Sequence, residues 1–289
     1  MNHGIIGPCP ETGGPICHCA DPDSPDDCEE RDGFDGAWLE GNAIWGSPGW
    51  GIVQHSSDAV LKGNAVFGVS GSAIVAESGD ETGRWEGNLT MNTHGLGHGI
   101  GEAGRYEDSS DFNEDSGGEG IGYYLKARAI EVTDNVAQSS ARSGFFYHNN
   151  GVGLRNTDAQ ALDFEGIGHG LDSIHTEDVP IRHFDGNEVI AAETAIRIAT
   201  DPMDAVRKFN DAWSHLKNLT AWEIDEAGVS ITYASKYIFE DFLILGTHDK
   251  KSVLGQHDSN GFFFKASVAD ITVLNSHVEN FGSTVYNWT

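Results

Sequence analysis

The stretch GNAVFGVSGSAIVAESGDETG, residues 63–83, decides the fold. A glycine-asparagine corner leads into a short apolar strand, a small-residue turn follows, and a second apolar run, Ala73-Ile-Val-Ala76, passes directly into an acidic loop. The same syntax recurs along the chain in GWGIVQHSSDAVLKGNAVF, GYYLKARAIEVTDNVAQ, GFFYHNNGVGLRNTDAQALDF, AIRIATD, GVSITYASKYIFEDFLIL and GFFFKASVADITVLNSHVEN. Corners fall at Gly41-Asn42, Gly63-Asn64, Gly87-Asn88, Asp134-Asn135 and Gly186-Asn187.

The first three corner asparagines are 22 and 24 residues apart, and the next step of 47 fits two turns if one carries a loop. A period in this range marks stacked repeats. Leucine-rich helical signatures are absent, whereas short Val, Ile, Phe and Tyr runs punctuated by Gly, Asn and Asp favour strands. The expectation is an all-β chain: a right-handed parallel β-helix over residues 33–289, preceded by a Cys/Asp/Gly/Pro-rich segment over 1–32. Corner asparagines stacked from coil to coil explain Asn88-Leu-Thr90 and Asn218-Leu-Thr220 better than glycosylation does.

Two insertions interrupt the repeats. One is long and acidic, from about Asn92 to Gly118. The other begins at Asp201-Pro202, where a cap and a helix-compatible proline precede apolar Met203, Val206, Phe209 and Trp213, which predicts a short helix. Insertions in solenoids tend to map to one face, often the binding face.

Composition narrows the function. The 289 residues hold 17 Lys+Arg against 45 Asp+Glu, a formal charge of −28, so nucleic acid and anionic lipid are poor partners. Such a surface suits solubility at high salt or divalent cations held by carboxylate oxygens. No apolar run approaches the ~18 residues of a membrane span. Cys9, Cys17, Cys19 and Cys28 cluster in the N-terminal segment, which predicts disulfides of undetermined pairing, with zinc held by cysteines and His3 or His18 as the alternative. That cluster, together with a start lacking a leader, points to a piece of a longer secreted or cell-surface protein.

The residues 63–83, followed by GYYLKARAIEVTDNVAQSSARSGFFYH and PIRHFDGNEVIAAETAIRI, resemble the β-helix region shared by the cell-surface hyaluronidase, the cell-migration-inducing hyaluronan-degrading protein and fibrocystin. The resemblance covers about Gly33 to Asn280 and implies the fold. The N-terminal β-rich domain of those relatives is not evident here, so their hyaluronan activity is not carried over.

Strand parity supplies candidate site residues, because alternate side chains face opposite sides of a sheet. In GIVQH, AIVAE, GYYLK, GFFYH and GFFFK the apolar positions Ile52, Ile74, Tyr123, Phe145 and Phe262 point to the core. Val53, Val75, Tyr124, Phe146 and Phe263 then point outward, followed by His55, Glu77, Lys126, His148 and Lys265. Glu77 would stand between His55 on the preceding coil and Lys126 or His148 on later ones. A groove of aromatic faces and charged heads suits an acidic polysaccharide. Glu77 is the candidate acid or base, His55 or His148 its proton-transfer partner, and Lys126 the counter-charge to a substrate carboxylate. Tyr124, Phe146, Arg128 and His175 are the candidate substrate-binding residues.

Asp111, Asn113, Asp115 and Glu119 space oxygen donors like a calcium loop, departing from the helix-loop-helix form at Ser116 and Gly122. Asp21, Asp23, Asp32 and Asp35 form a weaker set of the same kind. His94, His98 and Glu102 offer a looser donor set in a glycine-rich loop, unlike a helical zinc site. No serine-nucleophile elbow, phosphate loop or dinucleotide fingerprint occurs in a fitting context. The expected function is a secreted carbohydrate-active protein that binds and cleaves an acidic polysaccharide, as hydrolase or lyase, with calcium as its cofactor. The alternative is a non-catalytic adhesive or spacer module of a larger surface protein.

Overall fold

The computed structural model describes residues 36–95, 120–149, 179–200, 213–247, 259–266 and 268–288, together with the backbone of short strands within 5–30, 153–155 and 173–175. Among the described residues every regular element is a strand, and no helix is long and apolar enough to cross a membrane. The proposed helix after Asp201 lies outside the described residues, apart from exposed Trp213.

Two sheets carry the architecture. The first has eight strands, Ala37–Glu40, Asp58–Lys62, Thr82–Glu86, Ala129–Thr133, His183–Asp185, Ser214–Lys217, Ser235–Glu240 and Ala269–Leu274, each parallel to the next in chain order. The second has thirteen. Its middle strands, such as Ala43–Trp45, Ala65–Phe67 and Leu89–Thr93, follow the corner of each repeat. Its third strands, Ile52–Gln54, Ile74–Ala76, Tyr123–Leu125, Asn260–Lys265 and Ser283–Trp288, close each repeat. Val136–Asn149, Glu188–Thr200 and Thr220–Thr232 serve as both, with a register shift between Ser140 and Ser143 and another between Ala192 and Thr194 separating the two halves.

The corners are built as the Gly-Asn pattern requires. Gly41, Gly63, Gly87, Asp134 and Gly186 all take a left-handed φ between 53° and 68°, a conformation that favours glycine and tolerates Asp or Asn. The next residue is an asparagine whose amide is stacked on its neighbour's: Asn42, Asn64, Asn88 and Asn135 each donate backbone N–H and Nδ2 to the Oδ1 of the following corner asparagine, at 2.9–3.2 Å. Asn88 and Asn135 are adjacent members, so the 47-residue step is one turn carrying an insertion, not two turns. Asn218 does not join the ladder. It occupies the left-handed position itself, φ 50°, is exposed, and donates to Asp185 Oδ1 at 2.6 Å, while Leu219 and then Phe242 take the buried position.

Inward side chains from all three strand positions share one core: Leu61, Trp85 and Val132 from the first, Val66, Ala137 and Val189 from the middle, Ile74, Tyr123 and Phe145 from the third. No single repeat could bury these residues, so stability is cooperative between neighbours. The N-terminal segment forms a separate antiparallel sheet of Ile5–Pro8, Ile16–Cys19 and Cys28–Glu30, with Cys19 opposite Cys28 in the Cα register. The side chains of the cysteines and of His3 and His18 lie outside the described residues.

Candidate functional site

The third strands stack so that their outward positions form two rows. One row is Val53, Val75, Tyr124, Phe146, Arg197, Ser230 and Phe263, each a Cα partner of the next. The other begins at the strand ends with His55 and Glu77, continues through Lys126 and His148, and runs to Lys265. In chain order, residues 96–119 and 248–258 precede third strands, and residues 150–178 and 201–212 follow them.

Glu77 and His55 meet as strand parity places them. The Glu77 N–H donates to Gln54 O at 3.1 Å, which fixes the register, and Glu77 Oε2 lies 3.2 Å from His55 Nδ1. Ser78 Oγ stands 3.0 Å from the same nitrogen. With His55 69% exposed, the pair is open to a ligand. Beneath it the buried Glu81 folds the loop on itself, accepting the N–H groups of Ser78 at 2.6 Å, Gly79 at 2.7 Å and Ser56 at 3.3 Å. Glu81 and Ser78 are site-building residues that parity alone misses; the Ser78-Gly-Asp-Glu81 spacing, in which a glutamate reaches back three residues to a backbone donor, is the signal for them.

Lys126 follows on the next third strand, its N–H donating to Ala76 O at 3.0 Å. Partial burial pulls its ammonium below the ordinary lysine range, while the carboxylates of Glu77 and Glu81 pull it back up. His148 is one strand further. Its Nδ1 is 2.6 Å from Tyr124 Oη, and its ring stacks on Phe146 at 4.8 Å. The guanidinium of Arg197 sits 4.6 Å over the other neighbour in this group, the Phe146 ring.

Two expectations need correction. Tyr124 and Phe146 are outward of the sheet but only 3% and 1% exposed, because they form a second apolar cluster with Val75 and Ile121 against which Trp50 and Ala199 pack. They offer no open ring face to a sugar. Arg128 does not line the row either: it is buried, with Nη1 donating to Val179 O at 3.3 Å and the guanidinium 5.9 Å from the Tyr237 ring centre. It sits against core tyrosines, where burial also pushes the Tyr147 hydroxyl well up.

The His175 side chain lies outside the described residues, although its backbone pairs with Gly153. So do the calcium candidates Asp111, Asn113, Asp115 and Glu119, the weaker set at 21–35, and His98 and Glu102. Among the described residues there is no group of three or more His, Cys, Asp or Glu placed to hold a metal ion.

A further carboxyl pair, not singled out by the sequence patterns, stands where the middle strands bend into the third. Glu193 stands opposite a bulge on each neighbouring strand, Ala141-Arg142 on one side and Asp225-Glu226 on the other, and Arg142 Nη1 reaches its two oxygens at 3.0 and 2.9 Å. Glu226, on the next strand, is hydrogen-bonded to Glu193 and raised to about 7, chiefly by that shared proton, then by burial and the Glu193 charge, with Arg142 and Arg197 opposing. Glu226 keeps much of its surface in solvent, so the hydrogen bond to Glu193 is the larger cause and burial the smaller.

No family model, curated protein or solved structure matches the chain.

Proposed function

We propose that the chain is a right-handed parallel β-helix that binds and cleaves an acidic polysaccharide along its third-strand stack, as a secreted or cell-surface protein related to the hyaluronidase and fibrocystin β-helices. The observation that carries this reading is the row His55, Glu77, Lys126 and His148 on successive strands, with His55 and Glu77 in direct contact. Strand stacking at ~4.8 Å sets these groups at a spacing that a linear polymer can follow.

The chemistry follows from the residues. Lys126 meets a uronate carboxylate, and a partly buried ammonium makes a stronger contact than a solvated one. Glu77, oriented by His55, exchanges a proton with the polymer. In hydrolysis that proton goes to the departing glycosidic oxygen as its bond to the anomeric carbon breaks, water adds to that carbon, and the water's own proton passes to a base, His55 or His148. In elimination a base removes the proton beside the carboxylate, the bond to the leaving oxygen breaks, a carbon-carbon double bond forms, and the leaving oxygen is protonated. Calcium bound at Asp111, Asn113, Asp115 and Glu119 would supply a cation for a substrate carboxylate.

The test is depolymerisation of hyaluronan, pectate and alginate by the folded protein, with and without calcium. Cleavage that Glu77→Gln abolishes supports the assignment, and an unsaturated-uronate absorbance identifies elimination. A folded protein that cuts none of the three would overturn it and favour the spacer module.

A further inference from the structure

The outward face of the middle strands differs from the rest of the surface. The first-strand face is laced with ion pairs, among them Lys62 to Glu86 at 3.1 Å, Arg182 to Glu131 at 3.3 Å and His215 to Glu240 at 2.8 Å. On the middle strands the outward row reads Trp45, Phe67, Met91, Gln138, Ile190 and Trp222, each the Cα partner of the next. The companion row, Ala43, Ala65, Leu89, Val136, Glu188 and Thr220, holds the only ionisable group in the two rows of these six strands, Glu188; charge returns two strands further on, where His277 and Glu279 pair at 3.2 Å. In a chain of formal charge −28 this is a strip from which charge has been removed. Trp45 is 77% exposed and Trp222 43%, and the Trp45 and Phe67 rings lie 4.3 Å apart at 35°.

We infer that this strip docks the flat face of an uncharged polysaccharide, of the cellulose or chitin type, separately from the His55–Glu77 row. Its shape argues for a linear occupant. Six strands at ~4.8 Å and three residues at ~3.3 Å give a strip roughly 24 Å by 10 Å, about 240 Å², against about 800 Å² per partner in a standard protein interface. A second copy of this chain would be held too weakly by so small a patch, and two strongly acidic chains repel. A helical peptide needs a groove, whereas this is one sheet face; an added strand needs a free edge, which among the described residues of the strip only Ala43–Trp45 offers, and pairing there would lengthen the sheet without covering its outward face. A polyanion or an anionic lipid finds no cation here. Pyranose rings present flat, uncharged C–H faces that pack on exposed indole and phenyl rings without any charge to neutralise.

The test is depletion of the protein from solution by microcrystalline cellulose and by chitin particles, with sedimentation velocity alongside. The expected result is retention by at least one polymer, a fall of about tenfold or more in the partition coefficient of Trp45→Ala combined with Trp222→Ala, and recovery with Trp45→Tyr. Both tryptophans are exposed, so the melting curve of the double variant stays that of the parent. Glu77→Gln leaves retention unchanged, which separates this surface from the cleavage site. Absence of retention on both polymers, retention indifferent to the tryptophans, or a self-associated species that Trp45→Ala dissociates would each overturn the inference.

Discussion

Replacing Asn135 with alanine tests the ladder where most hangs on it. The Asn135 side chain donates to Trp85 O at 2.7 Å and to Asn187 Oδ1 at 3.2 Å, and it accepts both the backbone N–H and the Nδ2 of Asn88 at 2.9 Å. All these groups are buried. At about 1 kcal/mol net per bond the loss is about 4 kcal/mol, and stranding the buried Asn88 N–H adds about 1–2 kcal/mol more. Asn42 is the contrast, since its exposed side chain donates to Glu40 O and Asn64 Oδ1, and water can replace it, so Asn42→Ala should cost about 1 kcal/mol or less. Urea unfolding followed by tryptophan fluorescence and by circular dichroism measures both, with agreement of the two probes checking that the repeats unfold together. Asn135→Leu should not rescue the loss, although leucine is native at the equivalent Leu219, because Asn88 still presents its donors to position 135. If Asn135→Ala costs under about 1 kcal/mol, or no more than Asn42→Ala, the ladder is decoration and the reasoning fails.

Glu77→Gln should lower any polysaccharide cleavage by about a hundredfold or more while leaving the melting temperature unchanged, since the residue pairs at the surface; kinetics and calorimetry on one preparation read both. Glu226 is raised from 4.5 to about 7 in the folded chain, so the folded state binds more protons than the unfolded between those values and stability falls as pH rises through that window. Glu226→Gln keeps a donor toward Glu193 and removes the titration, so its melting temperature should exceed the parent's at pH 8 and match it near pH 4, and a pH-independent difference would contradict the shared proton. Gly83 has φ 107° inside a strand, and an added Cβ would collide with Ala59 O, so Gly83→Ala should cost about 3 kcal/mol in urea unfolding.

The parallel stacking of the sheets was legible because the corners are chemically distinctive. A left-handed turn wants glycine and a ladder wants asparagine, so Gly41-Asn42, Gly63-Asn64, Gly87-Asn88 and Gly186-Asn187 announce themselves in the sequence. The coils after Asn187 were harder. Their corners keep the left-handed residue, at Asn218, Asp241 and Asn275, but put Leu219, Phe242 and Ser276 where the ladder would continue. The sequence spacing could not show that an insertion belongs to one turn, which is why the step from Asn88 to Asn135 reads as two. Arg128 shows another limit. A charged residue beside a strand is ordinarily placed outside, and only the packed core reveals an arginine set against Tyr147 and Tyr237.

Parity gives the side of the sheet a residue occupies, but not what lies over it, and Tyr124 and Phe146 turn on that distinction. Both are on the outward side and both are covered. Covered rings cannot carry a sugar, but they can hold a neighbouring side chain in place. Tyr124 Oη fixes one His148 nitrogen, the Phe146 ring backs the imidazole, and Arg197 closes over that ring. Val75, between Val53 and Tyr124 in the same row, is fully buried. The outward apolar row therefore works as a local second core, under which side chains lose rotamer freedom, while the adjacent row of His55, Glu77, Lys126 and His148 keeps its polar heads within reach of solvent. In the proposed reading, the polymer is gripped by that polar row and by what borders it, and the aromatics beside it act through position rather than contact.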